Sequence, residues 1–226
     1  ICYTGQLVMT DGQQTRVMVV ENISKPFSLQ NLNDGKSLLV VGENGVALFD
    51  IATEKIVATR RLDFQVISTG RRDNKPLLFD HRGQMHLVNS LDKMTSEKVP
   101  VKGKVTAYAS NRKEHLTAYG MADGTIWLTD GSGKIHQLLE HLSRVTKLMF
   151  NGKRLYSSSY DGKLLFWPIE SNSQINAFTL YQSANWLNDF TFSTNKDYIL
   201  VGEYNGSVTQ CLISLSKIAE RIRQKI

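Results

Sequence analysis

EHLSRVTKLMFNGKRLYSSSYDGKLLFWPI, residues 140–169, decides the fold. Short apolar runs at Val145 to Phe150, Arg154 to Ser159 and Lys163 to Ile169 read as three strands separated by turns. A fourth run, Gln174 to Tyr181, completes the unit. We letter these strands a to d, with a innermost. The b–c connection is Asp161-Gly162, and a two-residue hairpin needs backbone at positive φ, which glycine adopts without a Cβ penalty.

The unit recurs. Its turn glycines are Gly5, Gly45, Gly83, Gly124, Gly162 and Gly206, spaced by subtraction at 40, 38, 41, 38 and 44 residues. Four are preceded by Asn or Asp, at Asn44, Asp123, Asp161 and Asn205. A period of roughly 40 residues carrying several short strands is the mark of a β-propeller. Further units begin near Pro26, Phe64, Val105 and Trp186. Residues 1–21 supply only c and d, and the last unit supplies a, b and c, ending near Ser214. The expected fold is therefore all-β: four-stranded antiparallel blades over residues 1–214, four complete and two partial.

After Ser214 the period changes. Leu215, Ile218, Ala219, Ile222 and Ile226 recur at helical spacing, with Lys217, Glu220, Arg221, Arg223 and Lys225 between them, which predicts an amphipathic helix over 215–226. The chain opens on Ile1 with no signal-peptide pattern, and reads as a piece of a longer protein. Strands a, b, c at one end and c, d at the other do not add to one blade. Either a further upstream blade makes a seven-bladed ring, or the arc is open and self-associates through unpaired strand edges.

Residues 140–169 also resemble the WD repeat. His141 stands where that family has the His of its Gly-His pair, Val145 and Phe150 fit strand a, Ser157-Ser158-Ser159-Tyr160-Asp161-Gly162 is similar to its strand-b serines and Asp-Gly turn, and Trp167 falls six residues after Asp161. The resemblance implies a buried hydrogen-bond network of His141, Ser157 or Ser159, Asp161 and Trp167. Both serines lie on one strand face, so the sequence leaves that choice open. Other units depart from the pattern: Thr129, Phe49, Val88 and Cys211 hold the Trp position. The degenerate repeats and closing basic helix are similar to the sensor propellers of bacterial STAND-class signalling ATPases, although the chain contains no ATPase motif.

Composition narrows the function. Hydrophobic residues make up 41% and charged residues 21%, with net charge +6, which fits a soluble globular protein. No apolar run reaches the ~18 residues of a membrane helix. Two cysteines, Cys2 and Cys211, fit a reducing, cytoplasmic setting and are too few for a disulfide scaffold. His81, His86, His115, His136 and His141 show no pairing with Cys or His at metal-ligand spacing, and no glycine loop of nucleotide-binding type occurs, so neither metal nor cofactor is expected. Strands a offer Val, Phe, Thr, Leu and Ser, with Asp189 the one clear acid, too little for a propeller-scaffold hydrolase or lactonase.

Two surfaces draw notice. The a–b turns carry Lys36, Arg71, Arg72, Lys75, Arg112, Lys113, Lys153, Arg154 and Lys196, a basic rim that would suit an acidic partner or nucleic acid. The opposite face gathers Arg60, Arg61, His81 and Arg82. The expected function is non-catalytic: a scaffold or sensor that binds a macromolecular partner, most simply a protein, on one face.

Overall fold

The computed structural model describes residues 6–10, 12–32, 35–169 and 175–214. Among them every regular element is a β-strand, and the chain divides into two compact units, residues 1–105 and 106–226. The helix expected over 215–226, the glycine at position 5 and the start of strand d at Gln174 lie outside the described residues.

In the first unit β1 (Gln6–Thr10) and β2 (Thr15–Val19) form a hairpin. One sheet follows as β3 (Ser28–Asn31), β4 (Ser37–Gly42), β5 (Gly45–Asp50) and β6 (Lys55–Arg61). The next is β7 (Val66–Arg72), β8 (Lys75–Asp80), β9 (Gln84–Val88) and β10 (Met94–Lys98). The second unit holds β11 (Val105–Asn111), β12 (Leu116–Met121), β13 (Ile126–Thr129) and β14 (Ile135–Leu138), with β11 opening at the boundary. It continues with β15 (Val145–Asn151), β16 (Arg154–Ser159), β17 (Lys163–Pro168) and β18 (Phe178–Gln182), then β19 (Leu187–Phe192), β20 (Tyr198–Glu203) and β21 (Val208–Leu212).

Each sheet is a meander in chain order, with neighbouring strands antiparallel, which is the blade of a β-propeller. Among the described residues, sheets of three or more strands number five, four of them four-stranded and the last three-stranded. The four four-stranded sheets and the three-stranded last sheet are as expected, whereas the opening pair, expected as a partial blade, does not count as one, so the described residues form five blades rather than six units. The opening pair is a two-stranded ribbon, and its Leu7 and Val20 pack with Val40, Ala47 and Phe49 as a cover on the following sheet.

Alternation along the inner strands explains the packing. Val40 and Ala47 face the hairpin, whereas Leu39, Val41 and Val46 face Val66, Leu78 and Val88 of the next sheet. In the second unit Leu155, Leu165 and Trp167 join Ala118, Ile126 and Leu128, while Tyr156 and Leu164 turn the other way to Leu187, Phe190, Ile199 and Val201. Successive residues of a strand point to opposite faces, so b and c strands such as β4, β5, β16 and β17 serve two cores at once. Strand d is mostly exposed, as in β10 and β18. A pairing shift recurs at one place in strand a of three sheets, between Val66 and Ser68, Val145 and Lys147, and Leu187 and Asp189. The repeat is thus written in the backbone as well as in the turns.

The b–c glycine is held for two different reasons in two units. Gly162 has φ +81° and a Cβ there would stand 2.1 Å from the Ser183 carbonyl oxygen, whereas Gly206 has φ +85° and open space around it. Left-handed backbone costs a non-glycine residue roughly 1–2 kcal/mol. Gly206→Ala should lose about that much in urea unfolding, and Gly162→Ala clearly more, because the backbone of the 183–185 loop must also move. Equal losses would show that φ alone selects these glycines.

Candidate functional site

Asp161 organises the turn face of the second unit. Its Oδ1 accepts the Lys163 N–H at 2.9 Å, and its Oδ2 lies 3.0 Å from His141 Nδ1 and accepts the Leu142 N–H at 3.0 Å. On the far side of the ring, His141 Nε2 is 2.8 Å from Ser157 Oγ, which accepts the Trp167 indole N–H at 2.8 Å. The structure therefore brings His141, Ser157, Asp161 and Trp167 into one chain. Ser159 stands apart from that chain. Its Oγ donates to the Ser143 carbonyl at 2.9 Å and accepts the Asp161 N–H at 3.1 Å. Ser157, Ser158 and Ser159 are fully buried. Since His141 bonds a carboxylate through one nitrogen and a hydroxyl through the other, its ring is fixed in orientation and has no nitrogen left for a substrate.

Burial alone would raise the Asp161 pKa, but the hydrogen bond from His141, then the Leu142 and Lys163 N–H groups, outweigh it and hold the carboxyl at about 2. A depressed folded pKa adds stability above the unfolded value, roughly pH 4, and that stability is lost as pH falls toward the folded value.

Related devices appear elsewhere. In the first unit Asp80 Oδ2 is 3.2 Å from His86 Nε2, and His86 Nδ1 is 2.7 Å from Ser96 Oγ, with Phe64 stacked on the imidazole at 3.9 Å. Asp80 Oδ1 also accepts the Arg82 and Gln84 N–H groups. Asp, His and Ser are the residues of a nucleophilic triad, yet Ser96 stands exposed on an outermost strand beside exposed Thr95 and Glu97 rather than in a cleft. In the second unit the buried Glu203 accepts from Tyr181 Oη at 2.6 Å, Ser183 Oγ at 2.7 Å and Asn185 Nδ2 at 3.0 Å, bonds that hold its pKa below the usual carboxylate value. It ties β18 and the 183–185 loop to the last sheet. Among the described residues no buried side-chain nitrogen or oxygen lacks a partner, and no group of three or more His, Cys, Asp or Glu is placed to hold a metal.

The basic rim is largely engaged with the protein itself. Arg71 donates to the carbonyls of Asn31 and Asn74, and burial lowers its pKa. Arg72 pairs with Glu97, Lys75 donates to Asn89, Lys153 approaches Glu114 at 4.0 Å, and Lys196 donates to Asn151. Arg154 lies within side-chain hydrogen-bond reach of Tyr156, and Arg112 also has a partner. Lys113 is exposed. Asp189 pairs with Lys147 at 3.1 Å. Of the four residues on the opposite face of the first unit, Arg60 donates to the Leu91 carbonyl at 2.8 Å and Arg82 to the Asp63 carbonyl at 3.4 Å. Arg61 lines an open depression of about 520 Å³ with Asn22, Ser24, Asn44 and Thr59, and His81 is exposed.

What the sequence reading missed is aromatic. At four of the turn glycines the residue two before sends its N–H to a carbonyl of the d–a loop: Glu43 to Ser24 and His81 to Gln65 in the first unit, Tyr160 to Arg144 and Tyr204 to Trp186 in the second. This clip fixes the turn against the loop and sets the side chain on the face. In the first unit those side chains are polar. In the second they are tyrosines: Tyr160 stacks on Trp186 at 4.8 Å and 21°, and Trp186 meets Tyr204 at 5.1 Å and 57°. Trp186 is 49% exposed, Tyr204 68%, and Leu142, whose N–H is held by Asp161, 81%. Aligning the units on Gly162 and Gly206 would have placed the two tyrosines in register, but nothing in the sequence put Trp186 between them.

These features define an all-β protein of β-propeller type with a rigid, aromatic turn face. Comparison with models of known protein families and with characterised proteins finds no match.

Removing Asp161 orphans buried donors, at about 1–3 kcal/mol. Asp161→Ala should cost that much in chemical denaturation. Asp123→Ala should cost less, because Asp123 Oδ1 accepts only the Thr125 N–H among its described bonds and its side chain is exposed. Asp161→Asn should also flatten the loss of stability between about pH 4 and 2. Equal melts for the two alanine variants would contradict the assignment.

Proposed function

We propose that this chain is a non-catalytic interaction platform that binds a protein partner on the turn face of the second unit. The observation that carries this reading is the run of exposed Trp186 and Tyr204 stacked with half-buried Tyr160, together with exposed Leu142. Large aromatic side chains held rigidly at a surface lose little conformational entropy on binding, and Trp and Tyr are enriched among the residues that dominate interface energies. The polar chemistry beneath, His141 with Asp161 and Ser157, is consumed in holding the turn and is not offered to a substrate.

The likeness of residues 140–169 to the WD repeat supports a scaffold or sensor role within that family. Cys211, a free half-buried thiol whose pKa burial raises, fits a reducing compartment, and we place the platform in the cytoplasm. No helix among the described residues is long and apolar enough to cross a membrane.

Photo-crosslinking tests the reading. A photoreactive residue at Leu142 should give protein adducts that Trp186→Ala abolishes, whereas one at Lys113, on the a–b turns, should give few. Adducts mainly from Lys113, or nucleic acid recovered there, would favour the basic rim instead. Ester, lactone, phosphate and peptide substrates should turn over only at background rates. Hydrolysis lost in Asp189→Asn or Ser96→Ala would make the chain an enzyme.

A further inference from the structure

The aromatic face carries enough chemistry to specify what it binds. Part of its backbone is engaged, because the Tyr160 N–H bonds the Arg144 carbonyl and the Tyr204 N–H the Trp186 carbonyl across the clips. These four groups are closed to main-chain pairing with a partner strand. What remains are flat rings and three side-chain donors: the Trp186 indole N–H and the hydroxyls of Tyr160 and Tyr204, none of which has a hydrogen-bond partner among the described residues. The indole N–H can only donate, and each hydroxyl can donate while its oxygen also accepts. A polyproline II segment is the complementary ligand, since its carbonyls are unpaired acceptors, proline has no N–H, and its rings stack on aromatic surfaces.

Charge adds a second constraint. The two carboxylates nearest the rings are occupied, Asp161 by His141 and two backbone N–H groups, and Glu203 by Tyr181, Ser183 and Asn185. Two cations border the rings without an ion pair among the described residues. Arg144 holds the Tyr160 N–H through its carbonyl, and Lys163 follows Gly162 directly. The exposed Asp123 stands by the 141–143 loop, as Gly124 lies against the His141 and Ser143 carbonyls, and the exposed Asp189 of β19 is paired with Lys147. The aromatic half of the face is therefore bordered by positive charge.

We infer that this face binds an acidic, proline-containing peptide segment in the extended polyproline II conformation, with proline on the Trp186–Tyr204 surface and a carboxylate toward Arg144 and Lys163. This rests on the platform reading above and gives it a ligand class.

The test follows the indole N–H signals of the ¹⁵N-labelled 226-residue chain during titration with a peptide of Glu, Pro and Leu. Trp186 is assigned by Trp186→Phe, and the buried Trp167 signal serves as an internal reference. The Trp186 signal should move while Trp167 stays. Affinity should fall roughly tenfold or more in Trp186→Ala and by a smaller factor in Tyr204→Ala, as expected when a central aromatic anchor is truncated. Arg144→Glu should weaken binding about threefold or more, and added salt should weaken it further. Three control arms use the peptide with Lys for Glu, the peptide with Ala for Pro, and oligothymidylate, each of which should bind at least severalfold more weakly. A Trp186 signal that moves as readily with either substituted peptide, or with the oligonucleotide, overturns the proposed ligand. It leaves a binding face of different chemistry, which the Leu142 adducts would still report. A Trp186 signal unmoved by the acidic proline peptide overturns the proposal outright. If Trp186→Ala also leaves the Leu142 adducts intact, the platform reading falls with it.

Discussion

A strand buried on both faces has no surface to give to water, and the packing of this protein follows from that. Leu39, Val40, Val41 and Val46 are fully buried although neighbouring residues point to opposite sides. So are Leu155 and Leu164, which face different cores. Each fully buried aliphatic side chain is worth roughly 1.5–3 kcal/mol relative to exposure. That gain is available only if the next sheet is present to cover it. The outer strands escape the constraint, and β10 and β18 are accordingly polar or exposed.

Stacking leaves the connections as the surface where function is free to vary. The clip from the N–H two residues before the turn glycine to a d–a carbonyl recurs in both units, yet the side chain it carries changes from Glu43 and His81 to Tyr160 and Tyr204. The backbone device is constant and the chemistry is not. The polar networks are the other constant. Asp161, Asp80 and Glu203 are each satisfied by local donors, and each fixes a turn or loop against a neighbouring strand. Partly satisfied networks in a dry interior would be costly, whereas complete ones stiffen the elements that carry the surface.

Much of this was legible in the residues. The glycine period, the Asn-Gly and Asp-Gly pairs and the strand alternation pointed to the sheets, and β16 runs from Arg154 to Ser159 as expected. The members of the His141 network were named from a resemblance, and the geometry settled which serine joins the chain, since only Ser157 reaches both His141 and Trp167. The blade count was not legible, because two predicted strands at the start cannot reveal whether they form a partial blade or a covering hairpin. The basic rim misled for a related reason. A charge in a turn looks free in sequence, but Arg71 reaches the carbonyl of Asn31, a residue on a different sheet. The aromatic face was missed because Tyr160, Trp186 and Tyr204 are distant in sequence and meet only across two sheets and the loop between them.

The second unit thus divides into a buried polar network that holds the fold and an exposed aromatic run that does not. Thermal melting of Asp161→Asn beside the double variant Trp186→Ala, Tyr204→Ala tests that division most directly. A clear fall in Tm is expected for the first and a Tm within about a degree or two of the parent for the second, since exposed substitutions away from such networks usually change stability by no more than about 0.5 kcal/mol. A fall in the aromatic double variant as large as in Asp161→Asn would make the aromatic run part of the core and contradict the division.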